Sequence, residues 1–305
     1  MKLTGLMIAR SEAWIIKSSL IAALRWVDEL IVVDHASTDA TYKIICEVQG
    51  QYHHRVRYSR WATMKEVQRP APVGGTMMVE DPENEVWDEM SMRQHSLDIG
   101  RKHRGTHFAI IDADEILTAN HYSVARSWFL QLKPRQCIDV PMLAMRTMDN
   151  YQNDESVWSH SFVTLGFMDD PELAWKPRAD GYQHHARSPM GSNPEHARPF
   201  VDKDLGGVMH FQFANRRRLV AKHALYAMVD HLRWPTRESV DELNAKYGRA
   251  LEPDRGLGRV PRAYIPPEVG LVNLEGRPWQ EDEIRRLITK HGRDSFAGLD
   301  LRGLA

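Results

Sequence analysis

Short apolar runs alternate with amphipathic segments through the first half of the chain. Leu3–Ala9 and Glu29–Val33 have the length and composition of buried strands. Between them Ile16, Leu20 and Leu24 recur at helical spacing. Strands that are apolar on both faces and are joined by helices are typical of parallel sheets. The sequence therefore predicts an α/β fold, with a mostly parallel central sheet and helices on both of its faces.

The same alternation continues to about residue 213. Further strands are predicted at Val56–Tyr58, Phe108–Ile111, Cys137–Met145, Val157–Phe167 and Val208–Phe213, and further helices at 41–48, Trp87–His103 and Tyr122–Leu132. Val157–Phe167 alternates as an antiparallel or exposed strand does. Two stretches without periodicity, Gln68–Glu85 and Met168–Asp204, are predicted to be loops.

The last third of the chain has a different pattern. A helix that is basic at its start is predicted at Asn215–Trp234, another ends near Tyr247, and a Gly/Pro-rich linker leads to a last helix at Gln280–His291. We therefore expect an α/β domain over 1–234, with two halves at 1–118 and 119–234. Residues 235–305 are expected to form a helical C-terminal extension.

Charge and cysteine content exclude several classes of protein. The 40 Lys and Arg residues balance 41 Asp and Glu residues, so no global field attracts nucleic acid or anionic membrane. Cys46 and Cys137 lie in apolar contexts and are predicted to be free thiols, which suits a reducing compartment. No run of 18 apolar residues occurs, and the 15 histidines lack zinc-site spacing. We expect a cytoplasmic protein, or one in the host cytoplasm if it is viral.

The stretch HFAIIDADEIL, from His107 to Leu117, carries the clearest chemical signal. Its apolar strand ends abruptly in the carboxylates of Asp112, Asp114 and Glu115. Burying unpaired carboxylates is costly, so this ending indicates either a solvated turn or a bound cation that gathers the acids. Side chains two residues apart in an extended segment project to the same side. Asp112 and Asp114 could therefore reach one metal ion.

A second carboxylate follows an earlier strand. Asp34 ends the run that begins at Glu29, and Ser37, Thr38 and Asp39 then supply turn and helix-capping residues. Ligands of parallel α/β sheets gather at the carboxyl ends of the strands. Asp34 and Asp112 are therefore expected to face one crevice.

Four ordered motifs resemble those of a known family. They are MIARSEAW, VVDHASTDAT, MRQHSLDIG and IIDADE, which together span about residues 3–118, and VMHFQFANRRRLVAKHALY at 208–226 is a weaker echo. In this order they resemble the family 2-like glycosyltransferases of the Rossmann-like GT-A fold. The chain departs from the family pattern at Ser11, His35, Ala36 and Gln94, where members commonly carry Asn, an acidic or small residue, Gly and Asn.

The resemblance implies a set of site residues. The donor pocket would include Ala9, Arg10, Glu12, Asp34, Arg93, Asp112 and Ala113, and the metal ligands would be Asp112, Asp114 and His210. Asp114 would chiefly bind Mn²⁺ or Mg²⁺, Asp112 the ribose or a metal-bound water, and Asp34 the base or ribose of a nucleoside-diphosphate sugar. Plain alternatives are a solvated acidic turn, an Arg93 surface ion pair and a His210 that is hydrogen-bonded in the core.

The general base and the anion sites are less constrained. Inverting transfer needs a carboxylate to deprotonate the acceptor hydroxyl. The candidates are Asp169, Asp170, Glu172 and Asp180, with His184 and His185 as further possibilities, and Asp170 is taken as the base. Arg216, Arg217, Arg218 and Lys222 start a helix and either clamp a phosphate or form a solvated face.

The sequence thus predicts a metal-dependent glycosyltransferase that moves a sugar from a nucleoside-diphosphate sugar to an acceptor hydroxyl, with inversion. The acceptor would be a glycan or, as in viral enzymes, a modified nucleobase in DNA, for which the basic cluster is the only support. Two alternatives remain open on the same fold. One is a nucleotidyltransferase, and the other is a non-catalytic binding protein.

Overall fold

A computed structural model of the chain describes residues 1–68, 76–81, 88–154, 156, 159–176, 187–189, 195–197, 203–251 and 256–304. Its strands are β1 Leu3–Ala9, β2 Glu29–His35, β3 Val56–Trp61, β4 Met64–Gln68, β5 Thr76–Glu80, β6 His107–Ile110, β7 Glu115–Leu117, β8 Cys137–Ala144, β9 Asn150–Gln152, β10 Phe162–Met168, β11 His196–Ala197, β12 Val208–His210 and β13 Leu257–Arg259. The helices are α1 Ile16–Ala23, α2 Thr41–Tyr52, α3 Glu89–Lys102, α4 Tyr122–Leu130, α5 Arg216–Arg233, α6 Val240–Gly248 and α7 Gln280–His291.

The central sheet has nine strands in the order β3-β2-β1-β6-β10-β8-β12-β7, with β11 paired to β8. Strands β3, β2, β1 and β6 run parallel, as do β8, β11 and β12. Only β10 and β7 run against their neighbours. Because β10 reverses between β6 and β8, the carboxyl ends of β1, β2, β6 and β12 lie at the same edge of the sheet.

Both faces of the sheet are covered, as the apolar strands predict. Alternate residues of β1 contact opposite layers: Met7 packs in one cluster with Leu20 of α1 and Phe129 of α4. Leu6 packs on the other face with Leu97 of α3. The prediction of a mostly parallel α/β sheet flanked by helices is confirmed, in the form expected of a Rossmann-like GT-A fold.

Local predictions differ from the structure in several places, among them His196–Ala197 of the predicted loop Met168–Asp204, which forms β11. Thr76–Glu80 was expected in a loop but forms β5, which pairs with β4 as an antiparallel ribbon. Strand β12 stops at His210, and Phe211–Phe213 form a 3₁₀ turn. The alternating segment was correctly predicted to be antiparallel, because Phe162–Met168 runs against both of its neighbours.

The helical C-terminal part shares a core with α5. Leu225 and Met228 of α5 pack against Leu243 of α6 and against Ile284 and Leu287 of α7. Helix α5 begins just after β12, and the Asn215 side chain caps its first turn by accepting from the Arg218 amide. Helix α5 therefore connects the sheet edge to the C-terminal bundle. Among the described helices, none is long and apolar enough to cross a membrane.

Candidate active site

Polar side chains follow the carboxyl ends of four strands of the sheet. Arg10 follows β1, Asp34 lies near the end of β2, Asp112 and Asp114 follow β6, and His210 ends β12. Register places Ala9 beside Asp34 and pairs His210 with Glu115. The structure therefore brings the predicted donor and metal residues to one edge, as the sequence predicted for Asp34 and Asp112.

The loop after β1 is held in an unusual backbone conformation. Ser11 has φ of 52°, and Ala36 in the neighbouring loop after β2 has φ of 46°, a region that favours glycine and asparagine. The Ser11 amide donates to Ser37 Oγ at 2.8 Å, and the Glu12 amide donates to Thr41 Oγ1 at 2.8 Å. These bonds tie the two loops together and hold both residues in the strained conformation.

Asp34 is fully buried and is held at both oxygens. One oxygen accepts from the Ser37 amide at 3.2 Å, and the other accepts from the Tyr58 hydroxyl at 3.1 Å and from the Arg60 guanidinium at 3.3 Å. Arg60 also pairs with Glu80. The carboxylate is therefore fixed in place at the end of the crevice beside the β1 loop.

Asp112 lies between two guanidinium groups. Arg93 of α3 donates to one oxygen at 3.0 Å, and Arg187 donates to the other at 2.9 Å. Burial opposes ionisation, but the two cations outweigh it and lower the pKa of Asp112 to about 2. Both oxygens are thus committed to arginines, whereas the sequence suggested a metal ligand here. Arg93 is a buried ion-pair partner and not a surface one.

Arg187 is a site residue that sequence reasoning missed. Besides Asp112, its guanidinium contacts both oxygens of Glu115 at 2.8 and 2.6 Å, and it donates to the carbonyls of Ile110 and Thr164. All five N–H donors of the side chain are used. Burial alone would lower the pKa of Arg187, but Glu115 and Asp112 raise it. No motif marks this arginine, because its partners come from distant strands.

Asp114 and His210 form the second pair of the site. Asp114 Oδ2 lies 3.4 Å from His210 Nε2, and the Phe211 amide donates to the Asp114 carbonyl at 2.9 Å. Burial would raise the pKa of Asp114, but His210 beside it lowers the pKa below its usual range. Burial would likewise lower the pKa of His210, but Asp114 raises it. His210 therefore faces the site, as the first of its two predicted roles requires.

A divalent cation fits this pair only in part. One carboxylate and one imidazole are suitable ligands for Mn²⁺. No group of three or more His, Cys, Asp or Glu side chains able to hold a metal is found among the described residues. His210 Nδ1 is buried and has no hydrogen-bond partner there, so no second group fixes which ring nitrogen carries the proton. The donor set suits a cation whose other ligands come from a substrate.

The basic cluster at the start of α5 divides into two pairs. Arg216 donates to the Leu251 carbonyl and Arg217 pairs with Glu281, so both face the C-terminal bundle. Arg218 turns inward, lying 3.3 Å from Glu12 and stacking 4.8 Å from the Trp14 ring. Lys222, one turn further along the helix, donates to Gln212 Oε1 at 3.2 Å and lies 5.9 Å from the Tyr226 ring.

The charged groups around Lys222 and Glu12 influence each other. Burial would lower the pKa of Lys222, but Tyr226 and the acids Asp114, Glu12 and Asp112 raise it, so the ammonium stays charged. Burial raises the pKa of Glu12 to about 7, with Arg218 opposing that rise and Asp114 adding to it. Perturbed groups of this kind concentrate at functional sites.

The C-terminal extension reaches the same edge through Trp279. The Arg10 guanidinium lies 4.5 Å above the Trp279 ring, and its Nη1 is 3.2 Å from His35 Nδ1. The Asn273 amide also donates to the Trp14 carbonyl at 2.8 Å. Arg10, predicted to contact the donor, is therefore positioned by residues from both the sheet and the extension.

The remaining predicted residues divide between the site and the opposite edge. Ala113 is buried, and its carbonyl accepts from Ser19 Oγ at 2.6 Å. Asp170 follows β10, whose end pairs with the start of β6, so it lies at the opposite edge of the sheet from Asp112. This placement gives the predicted base no support. Asp180, His184 and His185 lie outside the described residues.

Comparison with known proteins gives distant matches only. No protein-family model and no curated protein matches the chain. It is similar to S. aureus TarS 1-349 at 14% identity with a TM-score of 0.44, covering 82% of this chain and 69% of that one. A longer S. aureus TarS structure is 12% identical with a TM-score of 0.41, and the match covers 84% of this chain and 44% of that one. A putative glucose-1-phosphate thymidylyltransferase from Bacillus anthracis is 6% identical with a TM-score of 0.29, and the match covers 81% of this chain and 83% of that one. Such likeness is too distant to assign an activity.

Proposed function

We propose that this protein is a glycosyltransferase that moves a sugar from a nucleoside-diphosphate sugar to an acceptor hydroxyl. The observation that carries the proposal is the Asp114–His210 pair, at 3.4 Å, on the same sheet edge as Asp34. Asp34 and the β1 loop suit a nucleoside, and the pair suits the diphosphate end of the donor. Ligands of parallel sheets bind at this edge.

The nucleoside end of the donor lies against the loops after β1 and β2. Asp34 is fixed by three hydrogen bonds and has no exposed surface, so it would accept from the base or ribose only after Tyr58 or Arg60 moves away from its Oδ2. Arg10 is held between His35 and Trp279 and faces the same crevice. Rigid groups of this kind lower the entropy lost on binding.

The diphosphate end lies near Asp114 and His210, which would hold Mn²⁺ or Mg²⁺. The imidazole favours Mn²⁺, because Mg²⁺ prefers an all-oxygen shell. When bound, the cation would supply Lewis-acid neutralisation of the departing diphosphate. Asp112 does not join this ligand set, because Arg93 and Arg187 occupy its oxygens. Asp112 keeps the turn after β6 in position through its ion pairs with Arg93 and Arg187.

The transfer proceeds with inversion onto a glycan hydroxyl. The nucleic-acid alternative depended on the basic cluster, and that cluster divides, because Arg216 and Arg217 are committed to Leu251 and Glu281. The two remaining cations, Arg218 and Lys222, do not by themselves form the extended basic surface that a DNA backbone requires.

The test uses a panel of UDP-, GDP-, CDP-, ADP- and dTDP-sugars with Mn²⁺ or Mg²⁺, with sugar transfer and donor hydrolysis as readouts. Wild type is expected to release nucleoside diphosphate from one donor, and Asp114→Asn is expected to release almost none. Asp170→Asn, at the opposite edge, is the matched control and should retain activity. Undiminished activity in Asp114→Asn would refute the proposal.

The same assay separates the two alternatives. Release of pyrophosphate from a nucleoside triphosphate and a sugar phosphate would identify a nucleotidyltransferase. Tight binding of a donor without turnover under any metal would identify a binding protein. Product stereochemistry, read from the anomeric proton by NMR, tests inversion.

A further inference from the structure

The cations of the cleft differ in how far they are already neutralised. Arg93 and Arg187 are committed to Glu89, Asp112 and Glu115 through ion pairs of 2.6–3.0 Å. Arg218 pairs with Glu12 at 3.3 Å. These guanidinium groups already have carboxylate partners before any substrate arrives.

Lys222 differs from these three arginines. Within the described residues its ammonium makes one hydrogen bond, to the neutral Gln212 Oε1 at 3.2 Å, lies 5.9 Å from the Tyr226 ring and makes no ion pair. An ammonium has three donors, so two are available. Gln212 is two residues from His210, so this hydrogen bond holds the ammonium near the end of β12. Lys222 is thus a positive charge with open donors close to that end of the strand.

The geometry of α5 explains why the lysine points inward. Lys222 is four residues from Arg218, so the two lie on one face of the helix. Arg217, one position away, faces the C-terminal bundle and pairs with Glu281. Leu225 and Met228 anchor the helix in that bundle. The packing of α5 against the C-terminal bundle therefore fixes the position of its inward face. A fixed position suits a side chain that binds a charged group of the substrate.

We propose that Lys222 binds the β-phosphate of the donor and stabilises it as it leaves. The inference rests on the proposed function and adds the residue that receives the leaving group. When the glycosidic C–O bond breaks, its electron pair stays on the β-phosphate oxygen, the acceptor oxygen forms the new bond to the sugar carbon, and the proton of the acceptor hydroxyl passes to solvent. A charge-assisted hydrogen bond from the ammonium strengthens as that negative charge grows.

The test compares nucleoside diphosphate with nucleoside monophosphate, using the base that wild type prefers. Calorimetric dissociation constants with Mn²⁺ are measured for wild type, Lys222→Gln, Lys222→Arg and the control Arg217→Gln. Lys222→Gln should weaken diphosphate binding by about tenfold to a hundredfold and leave monophosphate binding within about twofold. Lys222→Arg should restore most of the diphosphate affinity, and Arg217→Gln should change neither.

Each outcome bears on one of the two proposals. If Lys222→Gln weakens diphosphate and monophosphate equally, or neither, the assignment of Lys222 is overturned while the proposed function stands. If wild type binds no nucleoside diphosphate at all, the proposed function fails and the assignment fails with it. Thermal unfolding of each variant is recorded alongside, so that a loss of fold is not mistaken for a loss of contact.

Discussion

The two ends of the central sheet both carry acids and arginines, but they use them differently. At the amino-terminal end of β6, Asp169 forms a two-pronged pair with Arg101 at 2.8 and 3.0 Å. Arg135 pairs there with Glu172, whose side chain is 71% exposed. The Arg101–Asp169 pair is partly buried, with side chains 26% and 18% exposed, and within the described residues Asp169 pairs with a single arginine. An exposed pair such as Arg135–Glu172 contributes little to stability or function.

At the carboxyl end Glu115 is buried, Asp112 is 30% exposed, and the charges are shared among several partners. Arg93 and Arg187 serve three carboxylates, Asp112, Glu115 and Glu89. Asp114 and His210 lie beside them, with Asp114 Oδ2 3.4 Å from His210 Nε2. The comparison shows that a functional edge is recognised by charges that are shared among several partners, since residue type alone is the same at both ends.

The largest expected effect comes from exchanging one carboxylate at each end. Asp114→Asn removes a charged ligand of the proposed cation and should lower kcat/KM by about a thousandfold, which corresponds to about 4 kcal/mol. Asp169→Asn at the other end should lower kcat/KM by less than about threefold. Steady-state kinetics with the preferred donor measure both. Equal losses would remove the distinction between the two ends.

The next effect concerns stability and compares two arginines. Arg187→Gln removes one of the two arginines at Asp112 and the one arginine that pairs with Glu115 in the described residues, and should lower the free energy of unfolding by about 3 kcal/mol. Arg101→Gln removes a more solvated pair and should cost about 1 kcal/mol or less. Urea denaturation gives both values. An Arg187→Gln variant as stable as Arg101→Gln would mean that the cluster at the carboxyl end is not buried in solution.

A pH effect follows from Glu12. Burial raises its native pKa to about 7 from 4.5, so between these values the folded protein holds a proton that the unfolded chain releases. The free energy of unfolding should therefore fall as the pH rises from 4.5 to 7, by on the order of 2 kcal/mol. Glu12→Gln should flatten that slope, and Arg217→Gln should not. If the free energy of unfolding depends on pH in the same way in wild type and Glu12→Gln, the raised pKa of Glu12 is contradicted.

The smallest effect tests whether the C-terminal extension belongs to the active edge. Trp279→Leu removes the ring under Arg10, a contact of about 1 kcal/mol, and should weaken nucleoside-diphosphate binding by roughly fivefold. Trp234→Leu is the control, because Trp234 stacks with Arg237 at the far end of α5. Calorimetric titration distinguishes them. Identical affinities would restrict the donor site to the sheet and its loops.

The sequence predicted the sheet and one half of the site for physical reasons. Apolar strands alternating with helices specify a parallel sheet, and acids placed directly after strands must lie at its carboxyl edge, so Asp34 and Asp112 were placed correctly. The placement of the two aspartates needs only local pattern and chain direction. His210 was proposed from the family resemblance, and in the structure it ends a strand that runs parallel to β8.

The other half depends on pairings that local pattern does not reveal. Asp170 was expected at the active edge, but β10 runs antiparallel to β6 and carries its end to the opposite edge. Arg187 lies in no motif and reaches Glu115 across 72 positions of sequence. Nothing in the sequence distinguishes the four basic residues at the start of α5. Only the packing of α5 shows that Arg218 and Lys222 lie on the other side of the helix from Arg217.

The most direct test of the carboxyl edge as the donor site is anomalous diffraction from crystals soaked with Mn²⁺ and the preferred nucleoside diphosphate. The account predicts one manganese peak at bonding distance from Asp114 and His210, with the nucleoside beside Asp34 and the β-phosphate beside Lys222. A nucleotide bound elsewhere, or manganese that avoids both Asp114 and His210, would contradict it.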